Sequence, residues 1–146
     1  MCVTGGEPLA QKSCLTLLAK LCDLGYSVSL ETSGAIDIAA VDSRVSRIVD
    51  IKTPGSGEVA KNRWENLPLL TRDDEIKFVI TSELDYQWAV ALLAEKKLTE
   101  LAPVLFSPAF TELSYEQLAT WILRDGLPVR MQVQLHKIIW GEKRGV

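Results

Sequence analysis

The residues of this chain with most to offer chemically come in short runs. Thr4-Gly5-Gly6-Glu7-Pro8 places a hydroxyl, two adjacent glycines and a carboxylate in front of a proline. Glycines let a ligand come close to the backbone, whose amides and carbonyls then become its partners. Pro8 suits the entry to a helix, where its missing N–H is not needed, and Glu7 can accept from an ammonium or a ribose hydroxyl. Glu31-Thr32-Ser33-Gly34 combines carboxylate, hydroxyls and glycine again. Asp50-Ile51-Lys52-Thr53-Pro54-Gly55 adds a cation beside a Pro/Gly loop, and Lys52 can meet a carboxylate as a point charge. Ser107-Pro108 and His136, the one histidine, complete the set. Each run also has a plain reading: Gly5-Gly6 as a turn, Glu31 as a helix cap, Lys52 as a solvated charge, His136 as a surface or core residue. Their order along the chain argues for one shared site.

The elements that must position them follow from hydrophobic periodicity. Met1–Thr4 reads as the end of a strand and Leu9–Leu24 as a helix, stopped by Asp23-Leu24-Gly25. Strands are expected at Tyr26–Glu31, Arg47–Ile51, Ile76–Ile80, Val104–Phe106 and Val129–Val133. A short helix is expected at Ile38–Val41, and the polar segment through Asn66 has room for another. Leu84–Lys97 has helical spacing, with Trp88, Leu92 and Leu93 as core contacts. Ser114 with Gln117 three residues on opens a further helix to Asp125, and Gln134–Val146 reads as a tail. Strands alternating with helices imply right-handed βαβ units and a parallel sheet, within one domain spanning residues 1–146. In a β/α barrel, ligands sit at the carboxyl ends of the strands, which is where the polar runs fall.

Composition narrows the functional classes. Hydrophobic residues are 47% and charged residues 24% of the 146, ordinary for a soluble protein. A net charge of −3 gives no general attraction to nucleic acid or anionic lipid. No apolar stretch is long enough to span a membrane and no leader peptide is recognisable, so a cytoplasmic protein is expected. Cys2, Cys14 and Cys22 are odd in number and match neither a CxxC zinc pair nor a cluster motif. Core thiols are expected, with Cys14 and Cys22 on one helical face, and no metal ligand is assigned.

Thr4-Gly5-Gly6-Glu7-Pro8 resembles the GGEP motif of the radical S-adenosylmethionine superfamily, and ETSG also occurs in activating enzymes for glycyl-radical proteins. The succession GGEP, ETSG, DIK-x-PGSG and Gln134-Leu135-His136-Lys137, with Asn62–Pro68 between, resembles the 7-carboxy-7-deazaguanine synthase family over essentially the whole chain. The resemblance implies an α/β fold, a partial radical-SAM (βα) barrel of parallel strands. It implies S-adenosylmethionine contacts from Gly5, Gly6, Glu7, Glu31, Ser33, Asp50, Ile51, Lys52 and Ser107, and substrate contacts from Thr4 and His136. The family reaction is a radical ring contraction of 6-carboxy-5,6,7,8-tetrahydropterin to 7-carboxy-7-deazaguanine with loss of ammonia, toward queuosine and related tRNA modification. It uses S-adenosylmethionine, a reduced [4Fe–4S] cluster, Mg2+ and an electron donor such as flavodoxin, in a homodimer.

The family's CxxxCxxC-type cluster motif and the magnesium ligand after it have no counterpart here, and no catalytic residue is assigned. The expected barrel therefore lacks its first strand and cluster loop, which leaves a parallel edge exposed to self-association or loss of stability. A fragment or misplaced start, a truncated product, and a partner chain that supplies the missing part all fit that pattern. Two other functions stay open on sequence: a glycyl-radical enzyme activase, and a cluster-free remnant that binds S-adenosylmethionine or a nucleoside, or that serves as a scaffold.

Overall fold

The computed structural model describes residues 1–141 and 143, apart from the side chain of His136. Its strands are β1 (Cys2–Val3), β2 (Val28–Thr32), β3 (Val45–Ile51), β4 (Glu75–Ile80), β5 (Val104–Pro108) and β6 (Arg130–Met131). Helices α1 (Cys14–Asp23), α2 (Glu83–Glu95), α3 (Leu98–Leu101), α4 (Tyr115–Asp125) and α5 (Leu135–Trp140) connect or follow them. All neighbouring strands pair in parallel, in the spatial order β1-β2-β3-β4-β5-β6. This sequential order is the winding of a (βα) barrel, here a partial one. Right-handed crossovers that never reverse direction put the connecting segments on one face of the sheet. The other face is left for a ligand.

Burial along the strands records the two faces. In β2 and β4 every second side chain is buried, and the alternates are half-buried. Leu30, Ile76, Phe78 and Ile80 face the helical layer and are fully buried. Glu31, Asp50 and Lys77 occupy the opposite phase. Phe78 and Phe106 meet edge to face at 5.5 Å, and Tyr86 of α2 packs on both Phe106 (6.0 Å) and Trp121 of α4 (5.2 Å). Such pairs add about 0.5–1.5 kcal/mol each beyond area burial, which locks α2 and α4 onto the middle of the sheet.

Several local expectations are corrected. Helix α1 starts at Cys14 rather than Leu9, because Glu7 caps a separate 3-10 turn over Pro8–Ala10 through Leu9 N (3.1 Å) and that turn ends at Gln11, whose backbone is extended. Cys14 and Leu18 form its buried face, with Cys22 half-buried beside them, while Leu15, Leu17 and Leu24 are exposed. Ile38–Val41 is a turn, not a helix. The buried side chain of Asn66 fixes the chain that leads into this turn: it donates to the carbonyls of Gly34 (3.0 Å) and Ile36 (2.9 Å) and accepts from the amide of Ile38 (3.3 Å). The segment through Asn66 holds only 3-10 turns, Pro54–Ser56, Val59–Lys61 and Trp64–Leu69. The expected strand Val129–Val133 shrinks to two residues, and Gln134–Val146 contains α5 rather than being wholly tail. Ser114 caps α4 as its spacing predicts, accepting from Gln117 N at 3.1 Å.

Candidate functional site

The carboxyl ends of β1, β2 and β3 come together around a cavity of about 110 Å³. Its walls include Thr4, Gly6, Glu31, Ser33, Asp50 and Lys52, six of the residues singled out by sequence, now joined from three separate strand ends. Thr32 of the same β2 run also lines it, as do Ile48 of β3 and Lys77 of β4, which were not foreseen. Lys77 is the register partner of Asp50 across β3 and β4, so its place depends on strand pairing rather than on any local motif. Asp50, Ile51 and Lys52 also line a second space of about 180 Å³ with Thr53 and Thr81. Gly5 is not among the lining residues, and Ser107 is fully buried in β5 outside both spaces. The side chain of His136 lies outside the described residues.

The cavity wall holds one ion pair and one hydroxyl–carboxylate bond among the described residues. Lys52 Nζ bonds Asp50 Oδ2 at 2.6 Å, and Thr4 Oγ1 donates to Glu31 Oε2 at 3.3 Å. Asp50 Oδ1 is buried and has no hydrogen-bond partner among the described residues, and Ser107 Oγ is in the same position. A buried acceptor without a donor is costly by about 1–3 kcal/mol, so Asp50 Oδ1 is the atom at which a ligand ammonium or hydroxyl gains most. Two carboxylates and two ammoniums, Glu31 and Asp50 with Lys52 and Lys77, suit a zwitterionic ligand group. Gly6 sits at φ +56, and a Cβ built there meets no protein atom within 4 Å. The backbone is therefore bare where it borders the cavity.

Glu7 does not present a free carboxylate. It accepts from Thr32 Oγ1 (2.9 and 3.0 Å), Ser33 N (2.8 Å), Ser33 Oγ and Leu9 N (3.1 Å). Burial pushes its pKa up, but the bonds from Ser33, Leu9 and Thr32 outweigh that and hold it below the usual glutamate value. Glu7 thus ties the β1 loop to the β2 loop, so that Gly6 and Ser33 face one space. The nearby Cys14 thiol is pushed up by burial and by the charge of Glu7, which keeps it protonated and unreactive.

Gly34 follows Ser33 at φ +71, and a Cβ there would stand 2.8 Å from Val49 Cγ1. Only glycine lets the β2 loop turn this closely over β3. Cys2 is exposed, Cys14 buried and Cys22 half-buried, and no group of three or more His, Cys, Asp or Glu among the described residues is arranged to hold a metal ion. The cysteines present therefore do not fit an iron–sulfur cluster. No helix among the described residues is long and apolar enough to cross a membrane.

No family model matches the chain. Among curated proteins it is 45% identical over 148 residues to the 7-carboxy-7-deazaguanine synthase of Chlorobaculum tepidum, covering 99% of this chain and 67% of that protein. The synthases of Koribacter versatilis and Methanospirillum hungatei are 41% and 37% identical, with 70% and 58% of their lengths covered. The chain thus spans roughly two thirds of the curated relatives it matches. Among solved structures, Streptococcus suis SuiB bound to S-adenosylmethionine superposes with a TM-score of 0.59 at 14% identity, covering 91% of this chain and 37% of SuiB. SuiB bound to the precursor peptide SuiA gives 0.60 at 13% identity with the same coverage. At such identities the likeness is one of fold, and it agrees with the sequentially wound parallel sheet. With strand-end motifs converging on one cavity and relatives matching from end to end of the chain, the sequence belongs to the 7-carboxy-7-deazaguanine synthase family.

Proposed function

We propose that this chain forms the S-adenosylmethionine- and pterin-binding part of a 7-carboxy-7-deazaguanine synthase. The observation that carries the reading is the cavity itself, where bare glycine backbone, an orphaned Asp50 oxygen and two lysines meet. An amino-acid zwitterion matches that set. Asp50 Oδ1 and the Gly6 backbone would take the methionyl ammonium, and Lys52 and Lys77 its carboxylate. Glu31 would accept a ribose hydroxyl, and Thr4, which donates to it, would contact the substrate. Gly5 gives the loop its freedom, Ile51 is buried at the strand end before Lys52, and the contacts of Ser107 and His136 rest on the family resemblance alone. Glu7 acts by holding the loops rather than by touching the ligand.

S-adenosylmethionine, when bound, supplies the radical chemistry of the family. The ligand set for a [4Fe–4S] cluster is not met by the cysteines of these 146 residues, so turnover needs thiolates from elsewhere. Mg2+, a flavodoxin-type donor, a homodimer, a cytoplasmic setting and a role in queuosine-directed tRNA modification follow from the same resemblance. The test is a chimera in which the unmatched third of the Chlorobaculum tepidum synthase is joined to this chain. With iron, sulfide, reductant, S-adenosylmethionine and the carboxypterin, it should release 7-carboxy-7-deazaguanine. A chimera that carries cluster and binds S-adenosylmethionine but leaves the pterin unchanged would refute the assignment.

A further inference from the structure

Lys52 projects into the cavity from a loop that has no regular structure to hold it. Two side chains distant in sequence supply the missing restraint. Asn62 grips the backbone of Lys52 from both sides, accepting from its amide at 2.8 Å and donating to its carbonyl at 2.8 Å. The next residues are fixed by Asp85, the third residue of α2. Its carboxylate accepts from Thr53 Oγ1 (2.9 Å), Gly55 N (2.8 Å), Thr81 Oγ1 (2.5 Å) and Thr81 N (3.3 Å). Asp85 and Thr53 are each 1% exposed.

An acid at this helix position ordinarily reaches back to the N-cap amide. Here Ser82 does its share of capping, accepting from Asp85 N at 3.3 Å, but all four bonds of the Asp85 carboxylate go to the β3 loop and the β4 end. The fit is close, since a Cβ on Gly55 would stand 2.5 Å from both Asp85 Oδ2 and Thr81 Oγ1. Burial pushes the Asp85 carboxyl up, yet the donors Thr81, Gly55 and Thr53 prevail and keep it ionised. Helix α2 therefore carries a fixed negative charge that bonds Thr53 and Gly55, just after Lys52, as well as Thr81 at the β4 end.

We propose that Asp85 is a positioning residue for ligand binding: it holds the Thr53–Gly55 turn so that Lys52 stands beside Asp50 and meets the ligand carboxylate. This rests on the cavity being the S-adenosylmethionine site. Asp85 acts through Lys52, so its effect should vanish when Lys52 has no charge. The experiment is calorimetric titration of the folded chain with S-adenosylmethionine across wild type, Asp85→Asn, Lys52→Met and the double variant. Asp85→Asn should weaken binding about tenfold, and in the Lys52→Met background it should add no more than about twofold. Equal affinity of Asp85→Asn and wild type, or full additivity of the two losses, overturns the proposal. If Asp85→Asn does not fold, Thr53→Val removes one donor at nearly constant shape and should show a smaller loss with the same non-additivity. A wild-type chain with no affinity for S-adenosylmethionine sinks the functional reading along with this one. Binding by wild type that Asp85→Asn leaves untouched sinks the positioning role alone.

Discussion

Glu7→Gln is the substitution that asks most of the site. The carboxylate receives two backbone amides on different oxygens, Leu9 on Oε1 and Ser33 on Oε2. Glutamine has one acceptor oxygen, so one of those fixed N–H groups must face an NH2. The hydroxyls of Thr32 and Ser33 can rotate to accept instead; the amide cannot. One unsatisfied N–H costs about 1–3 kcal/mol, and loss of the charge assistance in the remaining bonds about 1 more, so the variant should lose about 2–4 kcal/mol at neutral pH. Urea denaturation measures this directly. The pH dependence provides an internal control. The folded carboxyl lies below its ordinary value of 4.5, so its stabilisation is present above that pH and lost as pH falls through the lower folded value. Wild-type and variant stabilities should therefore converge on acidification below about pH 4.5. A neutral-pH gap under about 0.5 kcal/mol, or one that widens toward acid, would show that Glu7 does not clamp the two loops. Because Gly6 and Ser33 border the cavity, S-adenosylmethionine affinity should fall in the same variant even under conditions where it is fully folded.

Three further substitutions probe the surroundings. Gly34→Ala forces a left-handed conformation, about 1–2 kcal/mol, and pushes a methyl into Val49, about 1–3 more; its chemical-denaturation midpoint should drop accordingly. Tyr86→Phe removes the hydroxyl that donates to Trp121 O (2.9 Å) and Asp125 Oδ2 (2.8 Å), and a loss of about 1–2 kcal/mol in a urea melt is expected; an unchanged midpoint contradicts it. Lys77→Met should leave stability within about 0.5 kcal/mol while weakening S-adenosylmethionine binding, most at low ionic strength. A ratio of wild-type to variant affinity that stays the same from low to high salt would remove Lys77 from the carboxylate contact.

Much of the architecture is legible in the sequence because its signals are local. Alternating apolar runs mark β2 and β4 and short apolar runs mark β3 and β5, the Ser114 cap opens α4, and glycine and proline punctuate the strand ends, each through geometry acting over a few residues. Local signals fail where a distant side chain takes over the backbone. Ile38–Val41 has a helical pattern, but Asn66, 28 residues away, fixes the chain entering it, and the segment closes as a single turn from Val41 N to Ile38 O. Helix α1 starts late because the turn that Glu7 caps ends at Gln11, whose backbone is extended.

The site divides along the same line. Residue type and order alone bring Thr4, Gly6, Glu31, Ser33, Asp50 and Lys52 into view, since in a sequentially wound parallel sheet successive strand ends are neighbours in space. What each carboxylate does is decided by tertiary structure. In sequence Glu7 reads as a ligand acceptor; strand register places Thr32 and Ser33 against it and turns it into a clamp. Asp85 reads as an ordinary first-turn acid, and only the approach of the β3 loop makes it the support of Lys52's turn. Lys77 sits in an unremarkable strand until pairing sets it beside Asp50. Short-range stereochemistry determines which groups stand at the rim, and long-range registry determines which of them are already satisfied and which are left to bind.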